Sequence, residues 1–304
     1  MRATPDPRDV LSALARSAFT STAGGARDLG EDDRHIRQSV STSRRIGLTG
    51  VAGGSGTSAT AAAVASVLAH RRAGRVLAVD GAAGLRGTVW HLGLDDEARS
   101  TPASAVRRTA RTSWQATTDL PVAPSGALVV GLGDRDDPSR VPVPSRWADE
   151  VEPIARFHEV VVSDWGVRSP HVDLGDAARD SHVLAVVSRS ERAALEEAVA
   201  LAGTVARIPS PPRVVVVVVD VGGVGHAAAR LLRRRGDHDV PLVTLPWDAA
   251  KTAGVPPTSR SLRPASRRAH IELAAALVQA STSTSDVEHA EHVEHVGSRQ
   301  EAVS

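Results

Sequence analysis

Short, unbroken apolar runs recur along the chain, and segments with helical spacing of apolar residues lie between most of them. Parallel strands that are buried on both faces produce such continuous runs, because neither face of the strand meets water. The predicted strands are Ile46–Gly50, Arg75–Asp80, Ala127–Val130, Val160–Val162, His182–Val187, Val214–Val219 and Leu242–Leu245. The predicted helices are Ser58–His70, Glu191–Arg207, Gly225–Arg235 and Pro264–Ala280. This order predicts an α/β fold with three layers, in which a doubly wound, mostly parallel sheet lies between helices.

The same pattern divides the chain into one domain and two terminal segments. Residues 44–280 form the predicted domain, without a second core or an internal repeat. Before it, Asp9–Phe19 has the spacing of a short amphipathic helix, and the polar stretch Thr20–Ser43 is typical of a linker. After it, residues 281–304 are rich in serine and threonine and then acidic, which predicts disorder. The histidines of this tail are interpreted as part of a solvated segment rather than a metal site.

A cluster of glycines follows the first predicted strand. Gly50, Gly53, Gly54 and Gly56 lie within seven residues, and an alanine-rich helix begins at Ser58. A glycine-rich turn that opens a helix lets backbone N–H groups close on an anion, and the helix dipole favours negative charge there. The cluster therefore predicts a phosphate-binding loop.

Composition limits the chemistry of this loop. The chain has no cysteine and no tyrosine, its net charge is +1, and Lys251 is its only lysine. Disulfides, thiolate catalysis and cysteine metal sites are excluded. No apolar run approaches the roughly 20 residues needed to span a bilayer, and the first residues lack a signal-peptide core. We therefore expect a cytoplasmic protein without a transmembrane segment.

The loop fits a dinucleotide-binding fold as one alternative. Thr49-Gly50-x3-Gly54-x-Gly56 matches the fingerprint of short-chain dehydrogenases, and Asp80 ends the second strand, where a ribose-binding acid would lie. Those enzymes transfer a proton with a tyrosine, which this chain lacks. A Rossmann-type dinucleotide-binding protein without that tyrosine remains an alternative. The strand order of the sheet tests this alternative, because a Rossmann sheet pairs the second strand with the first.

The segment Ala52–Ala59 resembles the deviant P-loop (deviant Walker A motif) of the MinD/ParA ATPases of the SIMIBI class, which reads approximately KGGVGKTT. The three glycines and the magnesium-binding hydroxyl residue, Ser58, match. Ala52 and Thr57 replace the two lysines. After the next strand, Asp80 matches the first acid of the family's D-x-D, and Ala82 replaces the second.

Later segments resemble the same family in the same order. Val160–Asp164 resembles the Walker B strand, Asp220 takes the place of the residue that contacts the base, and Leu242–Asp248 resembles the turn before the closing helix. The resemblance implies a P-loop fold over 44–280 and ATP or ADP with Mg²⁺ as ligand. The residues that it implies for nucleotide binding are Gly53, Gly54, Ser55, Gly56, Thr57, Ser58, Ala59, Asp80, Asp164 and Asp220. Of these, Ser58 and Asp164 would hold the metal.

The replaced residues carry most of the electrostatic stabilisation that phosphoryl transfer needs, and one such group can be worth about 10²–10³ in rate. We therefore expect a pseudo-ATPase with weak or lost nucleotide binding, and we assign no catalytic residue. A weakly active ATPase is the second alternative, with charge supplied from outside the loop by Arg44, Arg45 or Arg86.

The finer resemblance is to degenerate MinD-like proteins associated with type VII secretion and to CpaE/TadZ-like pilus and septum-site proteins. It implies a positioning or secretion-associated protein that binds a protein partner, and it is compatible with a homodimer. DNA is a less supported partner. The arginine-rich stretches at 99–111, with a predicted helix over Ala103–Arg111, and at 228–235 are interpreted as solvated basic faces.

Overall fold

Seven parallel strands form one sheet at the centre of the molecule. The structure, a computed structural model, describes residues 27–235 and 240–301, with side chains for 27–234 and 240–282. The strands are β1 (Arg44–Gly50), β2 (Val76–Asp80), β3 (Leu128–Gly131), β4 (Val160–Val167), β5 (Val183–Arg189), β6 (Arg213–Val219) and β7 (Leu242–Leu245). Their order across the sheet is β3-β2-β4-β1-β5-β6-β7. All seven apolar runs are strands, so the predicted α/β fold is confirmed.

The position of β4 separates the two interpretations of the glycine loop. β1 pairs with β4 and β5, whereas β2 pairs with β3 and β4, so β4 lies between β1 and β2. A Rossmann sheet would place β2 directly beside β1. The strand order is therefore that of a P-loop fold.

Helices cover both faces of the sheet. They are α1 (27–37), α2 (Thr57–Arg71), α3 (Thr88–His91), α4 (Ala105–Arg108), α5 (Ser113–Ala116), α6 (Pro144–Glu150), α7 (Glu152–Ala155), α8 (Leu174–Arg179), α9 (Arg192–Val205), α10 (Ala227–Arg235) and α11 (Pro264–Glu301). The helices α2 and α11 pack on one face, and α6, α7, α9 and α10 pack on the other. Because both faces are covered, successive residues of a strand enter opposite cores. None of the helices in the described part of the chain is long and apolar enough to cross a membrane.

The first described helix corrects the linker predicted at Thr20–Ser43. Residues 27–37 are helical, and Ile36 is fully buried in the core beneath α2. The guanidinium of Arg72 donates to the main-chain carbonyls of Ile36 and Gln38 and pairs with Glu159. The predicted helix at Asp9–Phe19 lies outside the described residues.

The arginine-rich stretch after β2 also differs from the expectation. Two short helices, α4 and α5, replace the single helix predicted over Ala103–Arg111, because Thr112 and Gln115 form a capping box that starts a new helix. The side chain of Arg107 is buried and donates to the carbonyls of Pro102 and Thr118. Arg107 therefore does not belong to a solvated basic face.

The closing helix is longer than predicted. The backbone of α11 is helical from Pro264 to Glu301, beyond the predicted end at Ala280 and through the segment for which composition predicts disorder. No proline interrupts residues 281–301, and the first glycine after Ala280 is Gly297. The domain limits 44–280 remain a prediction, and the side chains of the tail histidines lie outside the described residues.

Candidate functional site

The glycine cluster forms a tight loop between β1 and α2. Gly54 and Gly56 have φ angles of 73° and 86°, in the left-handed region that favours glycine. The hydroxyl of Ser55 folds back and donates to the carbonyl of Ala52 at 2.7 Å. A Cβ atom on Gly56 would lie 3.3 Å from Cγ1 of Val219, so the end of β6 supports the loop from below.

The loop ends in a row of free backbone donors. The N–H group of Thr60 donates to the carbonyl of Gly56 at 2.9 Å, which is the first bond of α2. The preceding N–H groups, from Gly56 to Ala59, have no hydrogen-bond partner among the described residues. This is the arrangement in which a helix N-terminus holds a phosphate.

Two buried carboxylates lie beside the loop. Asp80 ends β2, and its register partner on the neighbouring strand β4 is Asp164. Asp164 accepts hydrogen bonds from the N–H of Gly166 and the hydroxyl of Thr88, both at 2.9 Å, and the nearby hydroxyl of Ser58 lowers its pKa. The hydroxyl of Thr88 also donates to the carbonyl of Ser58 at 3.3 Å, so Ser58 and Asp164, which the resemblance assigns to the metal, lie close together.

Asp80 is held by the turn that leads into α3. Its carboxylate accepts the N–H of Val89 at 2.8 Å and that of Ala82 at 3.3 Å. A Cβ atom on Gly87 would lie 2.3 Å from Oδ2 of Asp80, so only glycine fits there. Ala82, where the family has its second acid, is buried.

Burial makes both carboxylates weaker acids. Burial raises the pKa of Asp80 to about 7, and the neighbouring charge of Asp164 adds to the rise. Burial also raises the pKa of Asp164, although the hydrogen bonds from Ser58, Gly166 and Thr88 oppose this rise. The carboxylates of Asp80 and Asp164 lie on paired residues and are shielded from water, so two negative charges there are unfavourable. A proton on one of them, or a nearby cation, would relieve the repulsion.

The acidic side of the site fits Mg²⁺. This ion prefers oxygen ligands and keeps several of its waters, and the hydroxyl of Ser58 with the carboxylate of Asp164 supplies such a set. Ser58 would bind the ion and Asp164 would hold it or its water. Bound Mg²⁺ would neutralise phosphate charge.

The phosphate side of the site lacks the expected cation. Thr57, at the place of the phosphate-binding lysine, is buried against the start of the loop, and a Cβ atom on Gly50 would lie 2.4 Å from its hydroxyl. Ala52 is exposed at the place of the other lysine.

The arginines that were expected to substitute for the loop lysines lie elsewhere. Arg44 and Arg45 begin β1, at the end of the strand opposite to the loop and about 20 Å from it at the usual rise per residue. The guanidinium of Arg86 lies over the ring of Trp90 at 5.4 Å. The expectation that Arg44 or Arg45 supplies charge to the loop is therefore wrong.

A different arginine contacts the loop. Arg189, the last residue of β5, donates from Nη2 to the carbonyl of Gly53 at 3.0 Å and from Nε to that of Gly54 at 3.3 Å. No motif in the sequence indicates Arg189 or Thr88 as a site residue. The usable signal for Arg189 was its position, because the carboxyl ends of parallel strands meet at one edge of a sheet.

Asp220 lies at the same edge but is engaged by its own loop. It accepts the N–H of Val224 at 3.0 Å and that of Gly225 at 2.8 Å. Because its neighbour Val219 contacts Gly56, Asp220 is close to the phosphate loop, as the resemblance implies for a residue that contacts the base.

A buried arginine fixes the loops on the acidic side. Arg168 donates to the carbonyls of Trp165, Pro142 and Gly81 at 2.7–2.9 Å and pairs with Asp173 at 2.8 Å. Gly81 follows Asp80, and Trp165 follows Asp164. Arg168 therefore ties together the two turns that carry the acidic pair.

Comparison with solved structures identifies the fold. The chain is similar to a ParA family ATPase from Chlorobium tepidum (TM-score 0.58, 16% identity, 76% of this chain and 98% of that one). It is similar to the septum site-determining protein MinD from Pyrococcus horikoshii in complex with Mg-ADP (TM-score 0.58, 15% identity, 76% of this chain and 94% of that one). It is also similar to a chain of the MinC:MinD cell division protein complex of Aquifex aeolicus (TM-score 0.56, 18% identity, 78% of this chain and 96% of that one).

These likenesses, at such low identities, establish that the chain has the fold of MinD/ParA-type nucleotide-binding ATPases. No family model matches the sequence, and no curated protein matches it significantly.

Proposed function

We propose that this protein is a MinD/ParA-like pseudo-ATPase that binds Mg-ATP or Mg-ADP weakly and acts through a protein partner. The observation that carries the proposal is the unequal preservation of the site. Ser58, Thr88 and the two buried acids supply hydroxyl and carboxylate oxygens of the kind that Mg²⁺ binds, which supports a metal at this position. The loop has kept its glycines and free amides but no lysine.

Weak binding follows from what remains. Backbone N–H groups and Mg²⁺ contribute to phosphate affinity, whereas the lysines mainly stabilise charge that moves in the transition state. Ala82 cannot position an attacking water. We therefore place the nucleotide in a regulatory role, and a weakly active ATPase is the alternative within the same fold.

The partner is proposed to be a protein. A MinD of similar fold forms a complex with MinC. We propose by analogy that this chain also binds a protein, without proposing that the protein is MinC. A homodimer and a place in secretion, pilus or septum positioning are proposed from the sequence resemblance, as is a cytoplasmic location. DNA binding is less favoured, because Arg107 is buried and Arg108 pairs with Glu150.

Titration calorimetry tests the proposal. Mg-ATP, Mg-ADP and NADPH are titrated into the purified chain, and phosphate release is measured separately. We expect affinity for the adenine nucleotides with negligible phosphate release. Sustained phosphate release would select the weak ATPase, and tight NADPH binding or no binding of Mg-ATP would contradict the proposal.

Restoring one lysine sharpens the test. Thr57→Lys places a positive charge where the family has it and should tighten Mg-ATP binding by about tenfold, which is about 1.4 kcal/mol. Thr57→Met has a long side chain without charge and is the matched control. Equal affinities of the two variants would show that the loop does not bind phosphate.

A further inference from the structure

The end of β5 places a guanidinium directly on the glycine loop. Arg189 reaches across from the strand that neighbours β1 and bridges two consecutive carbonyls, those of Gly53 and Gly54. The same side chain limits the space at Gly54, where a Cβ atom would lie 2.8 Å from Nη2. Arg189 is thus part of the loop's surroundings, although it is 135 residues away in sequence.

The charge of Arg189 is not compensated by the loop. Both of its acceptors are neutral carbonyl groups. Neighbouring Arg192, by contrast, pairs with Glu196 at 2.7 Å. A guanidinium has five N–H donors, so the two bonds to the loop leave three donors for another ligand.

The chemistry of the remaining donors matches a phosphate. A guanidinium binds phosphate oxygens with two parallel N–H bonds and keeps its charge at any working pH. The bonds to Gly53 and Gly54 also orient the side chain before a ligand arrives, which lowers the entropy that binding would otherwise cost.

We propose that Arg189 is the cationic phosphate ligand of this site and replaces, from the neighbouring strand, the charge that the loop has lost. The ligand class is a Mg²⁺-bound nucleoside polyphosphate, with Arg189 contacting its phosphates from the rim formed by Gly53 and Gly54. This inference rests on the proposed function, since it assigns the residue that makes nucleotide binding possible without a lysine.

Calorimetric titration of Mg-ATP into four proteins tests the assignment: the wild type, Arg189→Ala, Arg189→Lys and Arg192→Ala. We expect Arg189→Ala to weaken binding at least tenfold. Arg189→Lys should recover part of the loss, because it keeps the charge but not the paired donors. Arg192→Ala removes an exposed arginine from the adjoining helix and should bind like the wild type.

Salt dependence separates a phosphate ligand from a support of the loop. The loss in Arg189→Ala should be larger at about 50 mM than at about 500 mM salt, because screening weakens the contact in the wild type. A loss independent of salt that lysine does not recover would show that Arg189 only shapes the loop, and would overturn the assignment. Thermal melting of each variant checks that the fold is retained.

Failure of the inference differs from failure of the proposed function. Equal Mg-ATP affinity in the wild type and Arg189→Ala would overturn the role of Arg189 and leave nucleotide binding in place. A wild type that binds neither Mg-ATP nor Mg-ADP would overturn both.

Discussion

The two halves of the candidate site differ in how closely their residues follow the resemblance to the MinD/ParA ATPases. On the acidic half, Asp80 and Asp164 are buried, paired across two strands and held by side-chain and backbone donors. On the loop half, the backbone forms a tight glycine turn, but Ala52 and Thr57 stand where the resemblance would place lysines. Buried acids with several partners are part of the core, so their removal endangers folding. A loop lysine acts on the bound phosphates rather than on the core, so another residue in its place leaves the fold intact.

The largest expected effect lies on the acidic half. Arg168→Ala removes a buried guanidinium and leaves the carbonyls of Trp165, Pro142 and Gly81 and the carboxylate of Asp173 without their partner. We expect a loss of about 3–5 kcal/mol in the free energy of unfolding, measured by urea denaturation.

Arg179→Ala is the matched control for this variant. It breaks an exposed pair with Asp176 and should cost less than about 0.5 kcal/mol. Similar losses in the two variants would show that the acidic half is no more tightly built than the surface.

An intermediate effect is expected from the charge of Asp80. Its pKa is raised from 3.8 to about 7, so the folded chain holds a proton that the unfolded chain releases. The contribution of Asp80 to stability should therefore fall as pH rises from 3.8 to about 7 and stay level above that. Asp80→Asn lacks this contribution, so its stability relative to the wild type should increase by up to about 4 kcal/mol across that window, measured by urea denaturation at several pH values.

Asp136→Asn, at an exposed position, is the control for the loss of a carboxylate and should follow the wild-type curve. If the stability of Asp80→Asn and of the wild type changed with pH in parallel, Asp80 would be ionised throughout this range. Burial and the charge of Asp164 would then not raise its pKa.

The smallest of the three effects belongs to the loop. Gly56→Ala puts a Cβ atom at a φ of 86° and 3.3 Å from Val219, and should cost about 1–2 kcal/mol in unfolding free energy. Gly53→Ala is the control on the same loop, because a Cβ atom there meets nothing within 4 Å. A comparable loss at Gly53 would show that the loop depends on glycine for a reason other than its backbone angles.

The sequence predicts the fold better than it predicts the site. All seven strands follow from their apolar runs, since a strand buried on both faces has a local signature. The helix at 27–37 was missed because Leu29 and Ile36 are its only apolar side chains, and Arg72 holds it through main-chain carbonyls. The spacing of apolar residues gives no sign of a helix that is held through hydrogen bonds to its main-chain carbonyls.

The site contains residues that no local motif predicts. The loop, Ser58, Asp80 and Asp164 follow from their motifs, and the structure brings Ser58, Asp80 and Asp164 together. Thr88 and Arg189 reach the site through the packing of α3 and the position of β5. Arg107, which the sequence places on a basic surface, is buried by acceptors on two separate turns.

The central place of β1 has a consequence for how the chain folds during synthesis. Of the seven described strands, β1 leaves the ribosome first, but its two neighbours, β4 and β5, begin only at Val160 and Val183. Until then its apolar residues and both of its hydrogen-bonding edges stay open, which is the condition under which nascent chains aggregate or recruit chaperones. Chains truncated before Val160 should therefore bind holdase chaperones strongly, and release should coincide with the synthesis of β4 and β5.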